Sequence, residues 1–131
     1  MNDPLAGKIT DSELEVMKVL WEADAPLPIT QIRMALQERM GWEATTIKTL
    51  VQRLCSKGAV LQTRQKCFLY APALTERAYN HWATDNLIRR LYRGSAKNLV
   101  AALVHSESLT REDVEELSGF FRVEGEGTSD A

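Results

Sequence analysis

The sequence has little of what metal sites, disulfide frameworks and most enzymes require. Only two cysteines occur in 131 residues, Cys55 and Cys67, and they form neither a CxxC pair nor a cluster with a histidine, which disfavours a metal site. We interpret both thiols as small buried or half-buried hydrophobic groups in a reducing cytosol, with a redox switch as the alternative. No nucleophile motif or glycine-rich phosphate loop surrounds His81 or His105, so we expect neither an enzyme nor a cofactor.

A signal peptide, a membrane-spanning run and a strong net charge are also lacking. We therefore expect a soluble, cytoplasmic protein that does not act at membranes. The net charge of −2 gives no global indication of a nucleic-acid partner. The charge is unevenly distributed, however: residues 43–72 carry five cations and one acid, whereas residues 73–131 carry seven cations and ten acids. One basic surface on an otherwise acidic chain fits a binder of polyanions.

The basic region contains a predicted amphipathic helix at residues 42–58. Four apolar residues recur there at the i, i+3, i+4 and i+7 spacing of one buried helix face. They are Ile47, Leu50, Val51 and Leu54. The opposite face carries hydroxyls and an amide, with cations on its flanks: Thr45, Thr49, Gln52, Ser56, Lys48 and Arg53. A helix in the DNA major groove needs short polar groups for base edges and cations for phosphates. An ordinary amphipathic surface helix is the alternative.

Two further helices are predicted before this one. Residues 1–8 are expected to form a loose tail. Thr10 and Glu13 then form a capping box for a helix that ends near residue 23. The prolines of residues 24–28 interrupt the helical pattern, and a second helix follows as far as Gly41. This spacing predicts a helix-turn-helix within a three-helix core.

A β-hairpin is predicted after the third helix. Residues 59–64 and 67–71 are short apolar runs, joined by a turn that carries Arg64 and Lys66. These two cations either reach DNA phosphates beside the groove or serve solubility on an exposed turn. Three helices and a hairpin make a winged helix-turn-helix domain at residues 9–72. The expected fold class is therefore mainly α with a small β-hairpin.

Residues 73–123 show the pattern of three more helices, and residues 124–131 are expected to be disordered. These helices are too short and too apolar to form a stable separate domain. We expect them to pack against a second copy as a dimerisation region, although folding back on the winged helix in a monomer is the alternative. The predicted dimerisation residues are Trp82, Leu87, Ile88, Leu91, Leu99, Leu103, Val114, Leu117, Phe120 and Phe121.

Several segments of the sequence resemble the penicillinase-repressor family of bacterial transcription factors (BlaI/MecI/CopY). They are ITDSELEVMKVLW at 9–21, Trp42 followed by TTIKTLVQRLCSKG at 45–58, and FLYAP at 68–72. Weaker matches are LIRRLYRGSAKNLVAALV at 87–104 and LTREDVEEL at 109–117. The resemblance implies a homodimer that represses transcription by occupying a palindromic operator. It implies DNA contacts at Thr45, Thr46, Lys48, Thr49 and Arg53, and at the wing from Arg64 to Lys66. Gln52 is added from the helix face alone.

Departures from the family leave the inducing signal open between proteolysis, a ligand and a metal. The copper-responsive branch has a cysteine-rich C-terminal hook, and no cysteine follows Cys67 here, which disfavours metal sensing. The antibiotic-responsive branch is cut by a regulatory protease between Asn and Phe in the dimerisation region. The aligned pair here is Ala102–Leu103, which is a possible cleavage site without that motif. The alternative function is a winged-helix protein–protein interaction module that does not bind DNA.

Overall fold

The computed structural model describes residues 5–128, with side chains as far as Arg122. Within this range a short 3-10 turn, Ala6–Lys8, precedes six helices and three strands. In chain order they are α1 (Asp11–Glu22), β1 (Leu27–Pro28), α2 (Ile29–Met40), α3 (Ala44–Lys57), β2 (Val60–Arg64), β3 (Phe68–Pro72), α4 (Glu76–Tyr92), α5 (Ala96–His105) and α6 (Arg111–Thr128). No helix in this part of the chain has the length and apolar composition needed to cross a membrane.

The first half of the chain is a winged helix-turn-helix, as predicted. Helices α1, α2 and α3 pack against one another, and the antiparallel strands lie in the order β1-β3-β2. Strands β2 and β3 form the predicted hairpin, with Arg64 opposite Phe68 next to the turn. Strand β1 pairs Leu27 with Tyr70 and was not predicted. Two residues, one of them a proline, are too few to show an alternating pattern.

The core of this part is built from the apolar stripes of the three helices. Each helix places residues three and four positions apart on one face, and those faces meet. The fully buried members are Val16 and Met17 of α1, Ile32 and Leu36 of α2, and Ile47 and Leu54 of α3. Packing of these stripes fixes the rotation of each helix about its own axis.

The predicted capping box at the start of α1 contains an acid that is almost completely buried. The Glu13 N–H donates to Thr10 Oγ1 at 3.2 Å, and the Thr10 N–H donates to Glu13 Oε1 at 3.0 Å. Glu13 is only 1% exposed, and it forms an ion pair with Lys57 at the end of α3. Burial by itself raises the pKa of Glu13, but hydrogen bonds from Lys57 and Thr10 outweigh burial and lower the pKa below its ordinary value.

At both ends of the chain the structure shows helical residues where the sequence predicts a loose or disordered tail. Residues 5–8 are not a loose tail, because Ala6 is fully buried against the first core and the segment ends in a 3-10 turn. The remainder of that predicted tail, residues 1–4, lies outside the described residues. At the other end the helix α6 continues to Thr128, beyond the predicted limit at residue 123. Residues 129–131 lie outside the described range.

The boundary between the two compact units falls inside α4 and not at residue 72. The first unit ends at Asp85 and the second begins at Asn86. The start of α4 belongs to the first unit because Leu74 is buried there, and Ala78, Tyr79 and Trp82 pack against the same core. Trp82, predicted as a dimerisation residue, therefore lies in the first unit. Sequence periodicity alone does not distinguish which core an apolar helix residue joins.

The second unit consists of the end of α4 with α5 and α6. Its helices begin with side-chain caps: Ser95 Oγ accepts from the Asn98 N–H at 3.1 Å, and Thr110 and Asp113 cap α6 reciprocally. Among the side chains described in this unit none is buried, and Ile88 and Leu99 are half-buried. Nine large apolar residues are at least 37% exposed, namely Leu87, Leu91, Val100, Leu103, Val104, Val114, Leu117, Phe120 and Phe121.

The stripe of α3 is expected to carry much of the stability of the first unit. Replacing fully buried Leu54 with Ala removes packed methyl groups and leaves a cavity, which should lower the free energy of unfolding by about 2–5 kcal/mol. Urea denaturation measures this. The control is Thr49→Ala on the exposed face of the same helix, which should change stability by less than about 0.5 kcal/mol. Equal effects of the two substitutions would contradict the assigned rotation of α3.

The Lys57–Glu13 pair gives a second prediction. Lys57→Met leaves a buried carboxylate without its partner and should cost about 3 kcal/mol or more at neutral pH. Without Lys57, the pKa of Glu13 loses the largest influence that lowers it while burial still raises it, so the pKa should be higher in the variant than in the unchanged protein. The variant then loses its penalty as Glu13 becomes protonated. The intact pair does the opposite: its contribution is present above the ordinary pKa and is lost as the pH falls through the lowered pKa.

The difference in the free energy of unfolding between the unchanged protein and the Lys57→Met variant should therefore become smaller as the pH falls from about 7 to about 4. Chemical denaturation at several pH values measures it. The matched control is Lys18→Met, because Lys18 pairs with Glu15 on the exposed surface, at 3.1 Å, and such pairs contribute less than about 1 kcal/mol. A difference that is constant with pH would rule out the buried pair as its source.

Candidate nucleic-acid interface

Helix α3 is anchored on one side and exposed on the other. Its buried residues, Ile47, Leu50, Val51 and Leu54, are at most 6% exposed. The opposite face is exposed and carries all six predicted DNA-binding residues of this helix: Thr45, Thr46, Lys48, Thr49, Gln52 and Arg53. Thr49 Oγ1 donates to the Thr45 carbonyl oxygen at 2.9 Å, and Gly58 ends the helix in the left-handed region at φ +82°. This orientation matches the one that the sequence predicts.

A groove of about 770 Å³ lies between α3, the start of α2 and the β2–β3 wing. Five of the predicted residues line it: Thr45, Lys48 and Gln52 from α3, with Arg64 and Lys66 from the wing. The other three, Thr46, Thr49 and Arg53, are exposed on α3 but do not line the groove. The structure therefore brings the wing cations to the same groove as one edge of the exposed face of α3.

The charge of this groove is of one sign. Arg33, Lys48, Arg64 and Lys66 line it, and no acid of the described residues does. The Arg64 guanidinium carbon lies 5.3 Å from the centre of the Phe68 ring, a cation–π contact that holds the guanidinium at the wing. Four cations around a groove with hydroxyl and amide groups suit a phosphate backbone and the base edges next to it.

Four polar residues that line the groove were missed in the sequence: Thr30, Arg33, Gln62 and Tyr70. Thr30 and Arg33 lie three positions apart on α2, a spacing that places both on one face of that helix. Gln62 Nε2 donates to Tyr70 Oη at 3.1 Å across the two wing strands. That pairing depends on the strand register, which the turn sequence left unspecified.

The two cysteines lie in different environments. Cys55 is half-buried, and burial raises the pKa of its thiol, which favours the protonated form. Cys67 is exposed, lines the groove and precedes β3 instead of lying within it. The interpretation of both as buried or half-buried hydrophobic groups is therefore wrong for Cys67, because the turn carries it away from the core.

Comparison with known proteins identifies relatives over most of the chain. A sequence model described as penicillinase repressor matches residues 9–122. The penicillinase repressor of Bacillus licheniformis is 30% identical over 111 residues, which cover 84% of this chain and 86% of that protein. The methicillin resistance regulatory protein MecI of Staphylococcus aureus (strain N315) is 32% identical over 114 residues, 84% of this chain and 89% of MecI.

Two solved structures resemble a little more than half of the chain. The DNA-binding domain of the repressor BlaI has a TM-score of 0.51 at 32% identity, covering 60% of this chain and 94% of that domain. The Bacillus licheniformis BlaI monomeric form, solved in complex with the blaP half-operator, has a TM-score of 0.50 at 34% identity, covering 55% of this chain and 88% of that one.

Arg33 lines the groove, a location that sequence periodicity did not predict, and this location can be tested by substitution. Arg33→Ala and Lys48→Ala each remove one cation from the groove and should each weaken binding to a DNA duplex. If the cation contacts a phosphate, the slope of log affinity against log salt should fall by about one unit per cation removed. Fluorescence anisotropy at several salt concentrations measures both.

The control for this experiment is Lys18→Ala, since Lys18 lies on α1 and is not among the residues that line the groove. Its salt slope should equal that of the unchanged protein. Equal slopes for all four proteins would show that the groove cations do not contact phosphates.

Proposed function

Since this chain belongs to the penicillinase-repressor family and is a DNA-binding transcriptional repressor, we propose that it acts as a homodimer on a palindromic operator. Each first unit binds one half-site, and the bound dimer blocks the promoter that contains the operator. Its site of action is then the cytoplasm, where a bacterial chromosome lies. The single observation that most strongly supports binding to an operator is the four-cation groove beside the exposed face of α3.

In this proposal α3 lies in the major groove with its hydroxyl and amide side chains towards base edges. Thr45, Thr49 and Gln52 are short enough to reach base edges or thymine methyl groups. The cations of the groove, Lys48 among them, contact phosphates along one side of the helix. Thr46 and Arg53 are exposed on α3 but do not line the groove of the protein. They contact the phosphates on the other side of α3. The complex of the BlaI monomer with a half-operator supports one chain per half-site.

The dimer is supported by the lack of a core among the described side chains of the second unit. Its described side chains include nine large, exposed apolar residues and none that is buried. An isolated unit of this kind exposes more apolar surface than a soluble monomer normally does. A second copy covers such a surface and gives two-fold symmetry, which matches a palindrome. The predicted dimerisation residues of this unit, from Leu87 to Phe121, are the ones that we assign to that contact.

For release from DNA we propose cleavage in the second unit by a regulatory protease. The candidate pair, Ala102–Leu103, lies inside α5, where Ala102 is half-buried and Leu103 is 38% exposed. A protease binds its substrate as an extended strand, so α5 has to unwind locally before it is cut. A free, uncovered second unit unwinds more readily than one packed in a dimer.

Replacing Phe120 with Glu tests the dimer. Phe120 is 63% exposed in the single chain, and a charge at an apolar contact between copies should separate them. Sedimentation velocity at micromolar concentration should show a dimer for the unchanged protein and a monomer for the variant. Affinity for a full palindrome should then fall about a hundredfold while affinity for a half-site stays the same.

The matched control is Leu61→Glu, which places the same charge at an exposed leucine of β2 in the first unit. Its mass should remain that of the dimer. A monomeric unchanged protein would remove the homodimer from this proposal. DNA binding that is absent, or independent of salt, would instead favour the protein–protein interaction module.

A further inference from the structure

The N-terminal residues and Trp82 meet in the first unit. Ala6 is fully buried. Gly7 lies so close to the Trp82 indole that a Cβ built on it would be 3.3 Å from Cζ2 of that ring. Contacts of this length are tighter than most side-chain contacts, so the indole and the backbone of residue 7 are closely packed. The N-terminal turn therefore packs directly on α4.

The same turn also contacts the DNA-binding helix. Lys57, the last residue of α3, donates from Nζ to the Lys8 carbonyl oxygen at 2.7 Å. The same ammonium group forms the ion pair with Glu13. Because the ammonium is held by a buried carboxylate, the Lys8 carbonyl is fixed relative to the end of α3. One residue later Ile9 packs against the core.

Three aromatic rings in a row pack the first turns of α4 against α1. The ring centres of Trp82 and Tyr79 are 5.9 Å apart, and those of Tyr79 and Trp21 are 5.8 Å apart. Trp21 Nε1 donates to the Leu74 carbonyl oxygen at 2.9 Å, just before α4 begins. Helix α4 thus leaves the first unit held by α1 on one face and by residue 7 at Trp82. It then continues without interruption to Tyr92 in the second unit.

We propose that residues 5–9 and Trp82 form a brace that sets the direction of α4 relative to α3, and so sets the half-site spacing that the dimer accepts. This inference rests on the proposed homodimer and its palindromic operator. A helix propagates a small change of direction along its whole length, whereas the groove and α3 keep their own geometry. The brace residues are positioning residues: they act through α4 and do not contact DNA.

Substitution of Gly7 gives a graded test of the brace. Gly7→Ala adds a methyl group that requires the indole to move by only a few tenths of an ångström. Gly7→Val adds two further methyl groups against the ring and must push residue 7 and Trp82 apart. Trp82→Ala removes the contact instead of widening it, and it provides a second route if one variant folds poorly. Circular dichroism and sedimentation velocity establish that each variant is folded and dimeric.

The experiment measures affinity for three kinds of duplex by fluorescence anisotropy. The sequence comes from the region that the unchanged protein protects in its own promoter. One duplex carries a single half-site, one carries the native palindrome, and a series carries spacers shortened or lengthened by one and two base pairs. The control variant is Lys18→Ala, because Lys18 pairs with Glu15 on the exposed surface of α1 and belongs neither to the brace nor to the groove lining.

The brace predicts that Gly7→Val and Trp82→Ala bind the half-site as the unchanged protein does. On the native palindrome they should lose about tenfold or more in affinity, because two half-sites no longer suit one dimer geometry. Their dependence on spacer length should flatten or shift, with Gly7→Ala intermediate and Lys18→Ala unaffected. Unaltered spacing profiles in folded, dimeric variants would overturn the brace alone. Failure of the unchanged protein to prefer the palindrome over a half-site would instead overturn the proposed function.

Discussion

Packing of one apolar stripe of α3 against the other helices is the constraint on which the site depends. Four residues of α3 are nearly or fully buried, and they fix the rotation of the helix about its axis. Once that rotation is set, the hydroxyl, amide and cationic side chains have to face solvent. The Lys57–Glu13 pair adds a second fixed point at the end of the helix. A buried carboxylate without a partner is costly, so this pair favours one arrangement of α1 and α3 over others.

The groove follows from that arrangement together with the wing. Strand β3 pairs with both β1 and β2, which places the wing turn beside the exposed edge of α3. Cations that are distant in the sequence, from Arg33 on α2 to Lys66 on the wing, then line one groove with no acid among them. The overall charge of −2 conceals this local concentration. Distribution of charge on the folded surface, and not the total, is what a DNA duplex encounters.

Sequence periodicity predicted the elements that bury one face and are capped by local residues. The capping box at Thr10, the stripe of α3 and the β2–β3 hairpin are of this kind, since their signals lie within about a dozen neighbouring residues. Strand β1, the burial of Ala6 and the position of Trp82 depend on contacts between distant segments, which leave no periodic signal. Of the site, the α3 face and the wing cations were predicted. Arg33 and the Gln62–Tyr70 pair needed the fold.

The second unit differs from the first in its burial. Its helices are capped by local residues, yet none of its described side chains is buried. In the proposed homodimer a second copy covers these apolar residues, and two-fold symmetry relates the two copies of α3. The most direct measurement of this account is hydroxyl-radical footprinting on the protein's own promoter. It should show two equivalent protected arms whose centres lie about one helical turn, or about 10 base pairs, apart, or a multiple of that distance. A single protected arm, or none, would contradict the account.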